Sequence, residues 1–201
     1  MNNSPLGHDQ APLFILVKRL IFNMIWLAMV YLMGACQHDP VKNHDPAHRK
    51  EVSWTDLINE ASWTLVEHSR DPYWSDDQNL CKQSDFGLEY GGLELSTQRC
   101  NHATFAQALL HSIKQGDSLF IELWHSSLVS QVESSGLIEL SVQGAPLWSK
   151  ALVIPSPAES WSLEFQSPID ASEGDEILFH VNNHGSNSYN LNALRILSPI
   201  P

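Results

Sequence analysis

A period-two alternation of apolar and polar residues constrains the fold of this chain more than any other feature. Leu119, Ile121 and Leu123 alternate with Ser118, Phe120 and Glu122, and the same spacing recurs over 138–142 and 161–165. Successive side chains of an extended strand point to opposite faces. Each segment therefore predicts a strand with one buried face, and residues typical of turns (Gly, Pro, Asn and Asp) separate the segments.

Eight to ten such strands in about 145 residues predict an all-β fold. We expect a jelly-roll-like antiparallel β-sandwich that forms one domain. Two segments are ambiguous: Ser53–Glu60 has the spacing of a capping box and favours a helical turn, and Phe105–Ile113 fits a helix or a strand. The architecture resembles the galactose-binding-type jelly rolls of carbohydrate-binding modules, which implies a binding domain without specifying binding residues.

The N-terminal segment has the order of an export signal. The basic pair Lys18-Arg19 precedes the apolar run 20–33, and Gly34-Ala35 places small residues directly before Cys36. The run 33–36 resembles the lipobox of bacterial lipoproteins, although Met33 stands where a leucine is usual. The alternative is an uncleaved anchor, but the apolar run is shorter than the ~20 residues that span a bilayer.

The lipoprotein resemblance implies that Cys36 is lipidated and becomes the mature N-terminus. Gln37 follows it, and lipoproteins without Asp at this place usually go to the outer membrane. We therefore expect a signal peptide at 1–35, a lipidated N-terminus and polar tether at 36–50, and the β-sandwich domain at 51–201. The expected location is the outer membrane of a Gram-negative cell, with the lipid as the link to the membrane.

The charge of the mature chain excludes one class of partner. The whole chain has 11 basic and 23 acidic residues. Cleavage after residue 35 would remove Lys18, Arg19 and Asp9, so the mature chain would keep 9 basic and 22 acidic residues and a formal charge of −13. Such a surface repels nucleic acid. It favours cations, and calcium could bind near Asp76 and Asp77, where carboxylates lie in a loop.

Two cysteines remain once Cys36 is assigned to the lipid. Cys81 and Cys100 are an even pair in an oxidising compartment, so we predict a disulfide between them. The alternative is a zinc site, but the pair lacks CxxC spacing. A bridge over this separation stabilises the fold by ~3 kcal/mol in chain-entropy terms.

The segment 182–190 before the last predicted strand is rich in amides. Asn182, Asn183 and Asn187 could donate and accept hydrogen bonds to sugar hydroxyls, and the Tyr189 ring could stack on a sugar face. Trp124, out of phase with the core-facing residues of its strand, is the candidate for an exposed stacking surface. The alternative is that Asn and Gly only build a tight turn.

Three histidines form a second candidate site. If their strands are neighbours, His125, His180 and His184 could hold zinc or copper with an open coordination position. Alternation opposes this grouping, because His125 continues the core-facing phase of its strand whereas His180 is out of phase with the apolar residues of its own.

Enzyme motifs of the common classes are missing from the sequence: there is no GxSxG, HExxH, phosphate loop or dinucleotide fingerprint. We therefore predict a lipid-anchored, non-catalytic cell-envelope protein that binds a glycan or another surface polymer. The alternatives are an exported metal-dependent enzyme that uses the histidines and an accessory lipoprotein that binds a partner protein.

Overall fold

The strands form where the sequence alternates or is continuously apolar. The computed structural model describes residues 52–76, 78–183 and 185–199. Within these ranges it has two short 3₁₀ helices, Glu60–Ser62 and Gln83–Asp85. The strands are β1 (Val52–Asp56), β2 (Thr64–Leu65), β3 (Phe86–Glu89), β4 (Gly92–Ser96), β5 (His102–Ala108), β6 (Ser118–His125), β7 (Ser134–Val142), β8 (Ala145–Ile154), β9 (Glu159–Gln166), β10 (Glu176–Asn182) and β11 (Ser188–Pro199).

The strands build two antiparallel sheets packed face to face as a jelly-roll sandwich. The six-stranded sheet has the order β3-β4-β11-β6-β9, and β1 also pairs with β11. The five-stranded sheet has the order β2-β5-β10-β7-β8. The chain passes from one sheet to the other after every strand except β3 and β7, so most consecutive strands lie in opposite sheets. The predicted all-β sandwich is confirmed.

The core lies between the sheets and contains the in-phase apolar residues. Leu119, Ile121 and Leu123 of β6 are fully buried, as are Ile177 and Phe179 of β10. Burying an aliphatic or aromatic side chain of this size contributes about 1.5–3 kcal/mol. The alternation therefore fixes which face of each strand points outward, and the outward faces are where a site must be sought.

Two local predictions have different outcomes. The helical turn predicted at the start of Ser53–Glu60 is not formed, because residues 52–56 form β1 along the C-terminal half of β11. A 3₁₀ turn begins later, after Asn59. The side chain of Asn59 accepts a hydrogen bond from Ala61 N. The ambiguous segment that begins at Phe105 is strand up to Ala108. Among the described residues no helix has the length and apolar character needed to cross a membrane.

The predicted disulfide between Cys81 and Cys100 is present. It ties a segment that we call the covering loop, residues 66–76 and 78–81, to the five-stranded sheet. Val66 N donates to the Thr104 carbonyl at 2.8 Å, and Cys81 N donates to the His102 carbonyl at 2.9 Å. Both ends of the loop are thus fastened to β5.

Candidate functional site

The amide-rich segment before β11 is built into the fold. Asn183, Asn187 and Tyr189 are 0%, 3% and 0% exposed. Asn183 Oδ1 accepts hydrogen bonds from Tyr189 Oη and Asn187 Nδ2, both at 2.7 Å, while Asn183 Nδ2 donates to Thr97 Oγ1 at 2.6 Å. Burial raises the pKa of Tyr189 above its usual value. The predicted sugar site on this segment was wrong, because these three side chains are buried and cannot contact a sugar. The fourth predicted amide, Asn182, is half-buried at the end of β10.

The predicted histidine trio is not assembled. His125 lies on β6 of the six-stranded sheet, where its ring contacts Trp161 and Tyr189. His180 lies on β10 of the other sheet, and its neighbours are different residues. His184 lies outside the described residues. The alternation that placed His125 and His180 on different faces is the physical reason for the correction.

His180 instead meets residues that sequence reasoning overlooked. Its ring stacks on Tyr73 at 4.0 Å between centroids and lies 4.8 Å from the ring of His102. Asp71 Oδ2 is 2.6 Å from His102 Nε2. Two of these residues come from the covering loop and two from adjacent strands, β5 and β10, so no local sequence pattern links them.

Thr104 connects this buried cluster. Its Oγ1 donates to Asp71 Oδ1 at 2.9 Å and lies 2.9 Å from His180 Nδ1, which then donates to it. Asp71 Oδ1 also accepts from Tyr73 N at 3.0 Å. Burial opposes ionisation of Asp71, but the hydrogen bonds from His102, Tyr73 and Thr104 outweigh it and lower the pKa of this carboxyl. The cluster therefore holds an anionic carboxylate beneath the covering loop.

The same environment keeps His180 neutral. Burial, together with the nearby His102, lowers the pKa of His180 to about 3. Tyr73 closes the cluster on the far side, since its hydroxyl donates to Glu139 Oε1 at 2.6 Å and lies 2.7 Å from Ser141 Oγ. Burial and Glu139 raise the pKa of Tyr73 to about 12. Asp71, His102 and His180 are the described residues placed to hold a metal ion.

The outward face of the six-stranded sheet is open by contrast. A row of four side chains, which we call the outer-face row, crosses four neighbouring strands: Glu94 opposes Asn190, Asn190 opposes Trp124, and Trp124 opposes Ser160. At the usual spacing between strands the row is roughly 14 Å long. Asn190 is buried within it, because its amide donates to the Glu89 carbonyl at 2.9 Å.

Two aromatic rings meet at the centre of this face. Tyr90, at the turn between β3 and β4, is 74% exposed, and its ring lies 6.2 Å from the ring of Trp124 at an angle of 62°. Tyr90 has φ 53°, in the left-handed region that Gly and Asn usually occupy. Tyr90 and Gly91 are the two central residues of the turn between the paired residues Glu89 and Gly92, and such two-residue hairpin turns require positive φ at both positions. Gln143 and Gly144 have the same conformation between β7 and β8. Trp124 was the exposed candidate of the sequence analysis, and the structure leaves it half-buried on the outward face.

A shallow cleft of about 300 Å³ adjoins the row, and Glu89 and Glu94 are among the residues that line it. Burial, together with the hydrogen bond and negative charge of Glu89, raises the pKa of Glu94 to about 7. The carboxyl of Glu94 therefore keeps its proton up to near-neutral pH. Carboxyl oxygens that lie near an exposed ring can bind hydroxyl groups of a ligand while the ring contacts the apolar face of the same ligand.

Comparison with known proteins finds similarity only at the level of structure. The sequence matches no protein-family model and no curated protein. A CBM4 structure aligns over 70% of this chain and 89% of its own, with 12% identity and a TM-score of 0.44. The N-terminal cellulose-binding domain of Cellulomonas fimi β-1,4-glucanase C aligns over 73% and 99%, with 9% identity and a TM-score of 0.41.

A third solved structure is the carbohydrate-binding module CBM36 in complex with calcium and xylotriose. It aligns over 67% of this chain and 99% of its own, with 11% identity and a TM-score of 0.35. Identities this low give no residue-by-residue correspondence. The function is therefore argued from the side chains of this chain.

Proposed function

We propose that the outward face of the six-stranded sheet binds a neutral glycan. The observation that carries the proposal is the exposed Tyr90 ring, which lies at the hairpin turn against Trp124 and beside the carboxyl pair of Glu89 and Glu94. Aromatic faces stack on the C–H faces of sugars, and carboxyl groups accept hydrogen bonds from their hydroxyls. An open sheet face with an exposed ring beside a shallow cleft suits part of an extended polymer better than a small enclosed ligand.

The charge of this face selects the type of glycan. Glu89 and Glu94 line the cleft, and the residues after position 35 have a formal charge of −13. Sugars that carry carboxylate or sulfate groups would be repelled. The expected ligands are therefore uncharged polysaccharides. Binding them requires no catalytic group.

Isothermal titration of the full chain, purified in mild detergent, with neutral and acidic oligosaccharides tests this proposal. Tyr90→Ala and Trp124→Ala should each weaken binding of a neutral glycan by ~1–2 kcal/mol, about 5- to 30-fold, because each removes a stacking ring. Tyr90→Phe is the matched control and should bind nearly as well as the parent, since it keeps the ring. Binding that survives both alanine variants unchanged, or a preference for acidic glycans, would contradict the proposal.

We also propose that the chain is held at the outer membrane by a lipid on Cys36. The support is the order of Lys18-Arg19, the apolar run 20–33 and Gly34-Ala35 before the cysteine; these residues lie outside the described ranges. Metabolic labelling with palmitate is the test. Cys36→Ser should lose the label and remain unprocessed, whereas the double variant Cys81→Ser/Cys100→Ser should keep the label. A labelled Cys36→Ser protein would refute the anchor.

A further inference from the structure

The cluster beneath the covering loop combines three groups that bind metals. Asp71, His102 and His180 each offer one ligand atom, and these three atoms all lie within 4.8 Å of one another. The residues are 8%, 0% and 2% exposed. Two imidazoles and a carboxylate are the ligand types of many zinc sites with three protein ligands. This set differs from the histidine trio that the sequence predicted and shares only His180 with it.

We propose that Asp71, His102 and His180 bind one zinc ion. A buried carboxylate needs a compensating positive charge. The carboxylate of Asp71 lies 2.6 Å from His102, and a divalent ion held by these two residues and His180 would supply that charge. The two imidazoles favour zinc over calcium, because calcium takes oxygen ligands. This inference concerns the sheet opposite the proposed glycan face and does not depend on glycan binding.

The scaffold holds the three ligands with little freedom. His102 and His180 lie on the paired strands β5 and β10, where His180 opposes Thr104 and His102 opposes Asn182. The covering loop, which carries Asp71, is fastened to β5 at both ends. Sites on rigid elements keep their geometry better than sites on free loops. Only a small adjustment is needed: Asp71 Oδ2 and His102 Nε2 are 2.6 Å apart, and tetrahedral zinc with bonds of ~2.0–2.1 Å separates its ligands by about 3.3 Å.

The neighbours of the ligands also fit a metal centre. Histidines bound to a metal usually donate their second ring N–H to an oxygen, which fixes the ring orientation. His180 Nδ1 lies 2.9 Å from Thr104 Oγ1, so its Nε2 is the ring atom left for the ion. The rings of Tyr73 and Trp74 contact the two imidazoles. They would shield the ion from solvent and leave space only for a small fourth ligand such as water.

Zinc titration of the full chain, purified in detergent without a polyhistidine tag and stripped with EDTA, tests the proposal. Calorimetry and elemental analysis should find one equivalent of zinc, and zinc should raise the melting temperature. His180→Gln and Asp71→Asn should abolish stoichiometric binding, whereas His111→Gln, at an exposed histidine, should bind like the parent. Thr104→Val should weaken zinc binding by roughly 10- to 100-fold, because it removes the partner that orients His180.

Cobalt provides a readout that does not depend on the folding of any variant. One equivalent of Co²⁺ added to the stripped parent protein should give the visible absorption of a low-coordinate site, and one equivalent of zinc should remove it. The proposal is overturned if the stripped parent shows no saturable zinc binding and the same melting temperature in zinc and in EDTA. A folded His180→Gln variant that binds zinc as tightly as the parent would also overturn it.

Discussion

The outward faces of the two sheets have similar polar residues but opposite surroundings. On the six-stranded sheet, Glu89 and Glu94 line an open cleft, and Tyr90 is largely exposed. On the five-stranded sheet, the covering loop lies over His102 and His180 and takes them out of solvent. The outward face of the six-stranded sheet is therefore accessible to ligands, whereas part of the outward face of the five-stranded sheet is buried under the covering loop.

The contrast shows that the neighbours of a carboxyl group, more than its burial, decide the direction in which its pKa moves here. The carboxyl of Asp71 is enclosed by three hydrogen-bond donors and its pKa is lowered. The carboxyl of Glu94 lies beside a second carboxyl, and its pKa is raised. Polar groups under the loop should therefore matter for stability, whereas those on the open face should matter for binding.

The largest difference between the faces should follow from removing one carboxylate from each. Asp71→Ala in EDTA should lower the free energy of unfolding by ~3 kcal/mol or more, because the variant leaves buried His102 and Thr104 without their partner. Glu94→Ala should change it by less than ~1 kcal/mol, since that side chain is partly exposed. Urea denaturation of the two variants makes the comparison, and equal losses would contradict the assigned roles.

A smaller difference should separate two tyrosines. Tyr73→Phe removes the hydroxyl that bonds Glu139 and Ser141, and it should cost ~1–2 kcal/mol because both partners lose a hydrogen bond. Tyr90→Phe should leave stability unchanged within ~0.5 kcal/mol. Thermal unfolding followed by circular dichroism measures the stability of both variants. A larger loss of stability in Tyr90→Phe than in Tyr73→Phe would contradict the prediction that the Tyr73 hydroxyl stabilises the covering loop.

The smallest effect should be a pH dependence confined to the open face. The pKa of Glu94 is raised from 4.5 to about 7, so between these values the folded state keeps a proton that the unfolded state has lost. The stabilisation is fully present below the unfolded pKa and is lost as pH rises through about 7. The parent should thus lose stability relative to Glu94→Gln between about pH 4.5 and pH 7, and solvent screening of this partly exposed group should keep the total below ~1 kcal/mol. If the difference in unfolding free energy between the parent and Glu94→Gln stays constant across this pH range, the raised pKa of Glu94 is excluded.

Alternation predicted the sandwich because the period of a strand is visible in a single segment. It identified β6 and β9 and the buried state of Trp161, and it separated His125 from His180. It missed β8 as a strand, because Lys150 and its neighbours pair along the edge of a sheet where little burial is imposed. Cysteine counting identified the disulfide, since two cysteines in an oxidising compartment leave few alternatives.

The sites were harder to predict because each depends on contacts between distant segments. The amides of 182–190 have the composition of a ligand loop, yet Thr97, more than 80 positions earlier, draws Asn183 inward. Asp71 is 31 positions from His102 and His180 is 76 from Thr104. No spacing rule connects residues that meet only after a loop folds over two paired strands.

The attachment of the covering loop has a consequence for engineering and for divergence of the fold. Because Val66 and Cys81 are fastened to carbonyls only two positions apart on β5, the segment leaves and re-enters the scaffold at almost one point. The entropic cost of closing such a loop rises only slowly with its length, so insertions between the attachment points should be tolerated, whereas removing the groups that it buries against the sheet, such as Asp71, costs stability. A short linker grafted between the two attachment points would uncover a second polar face on the same scaffold.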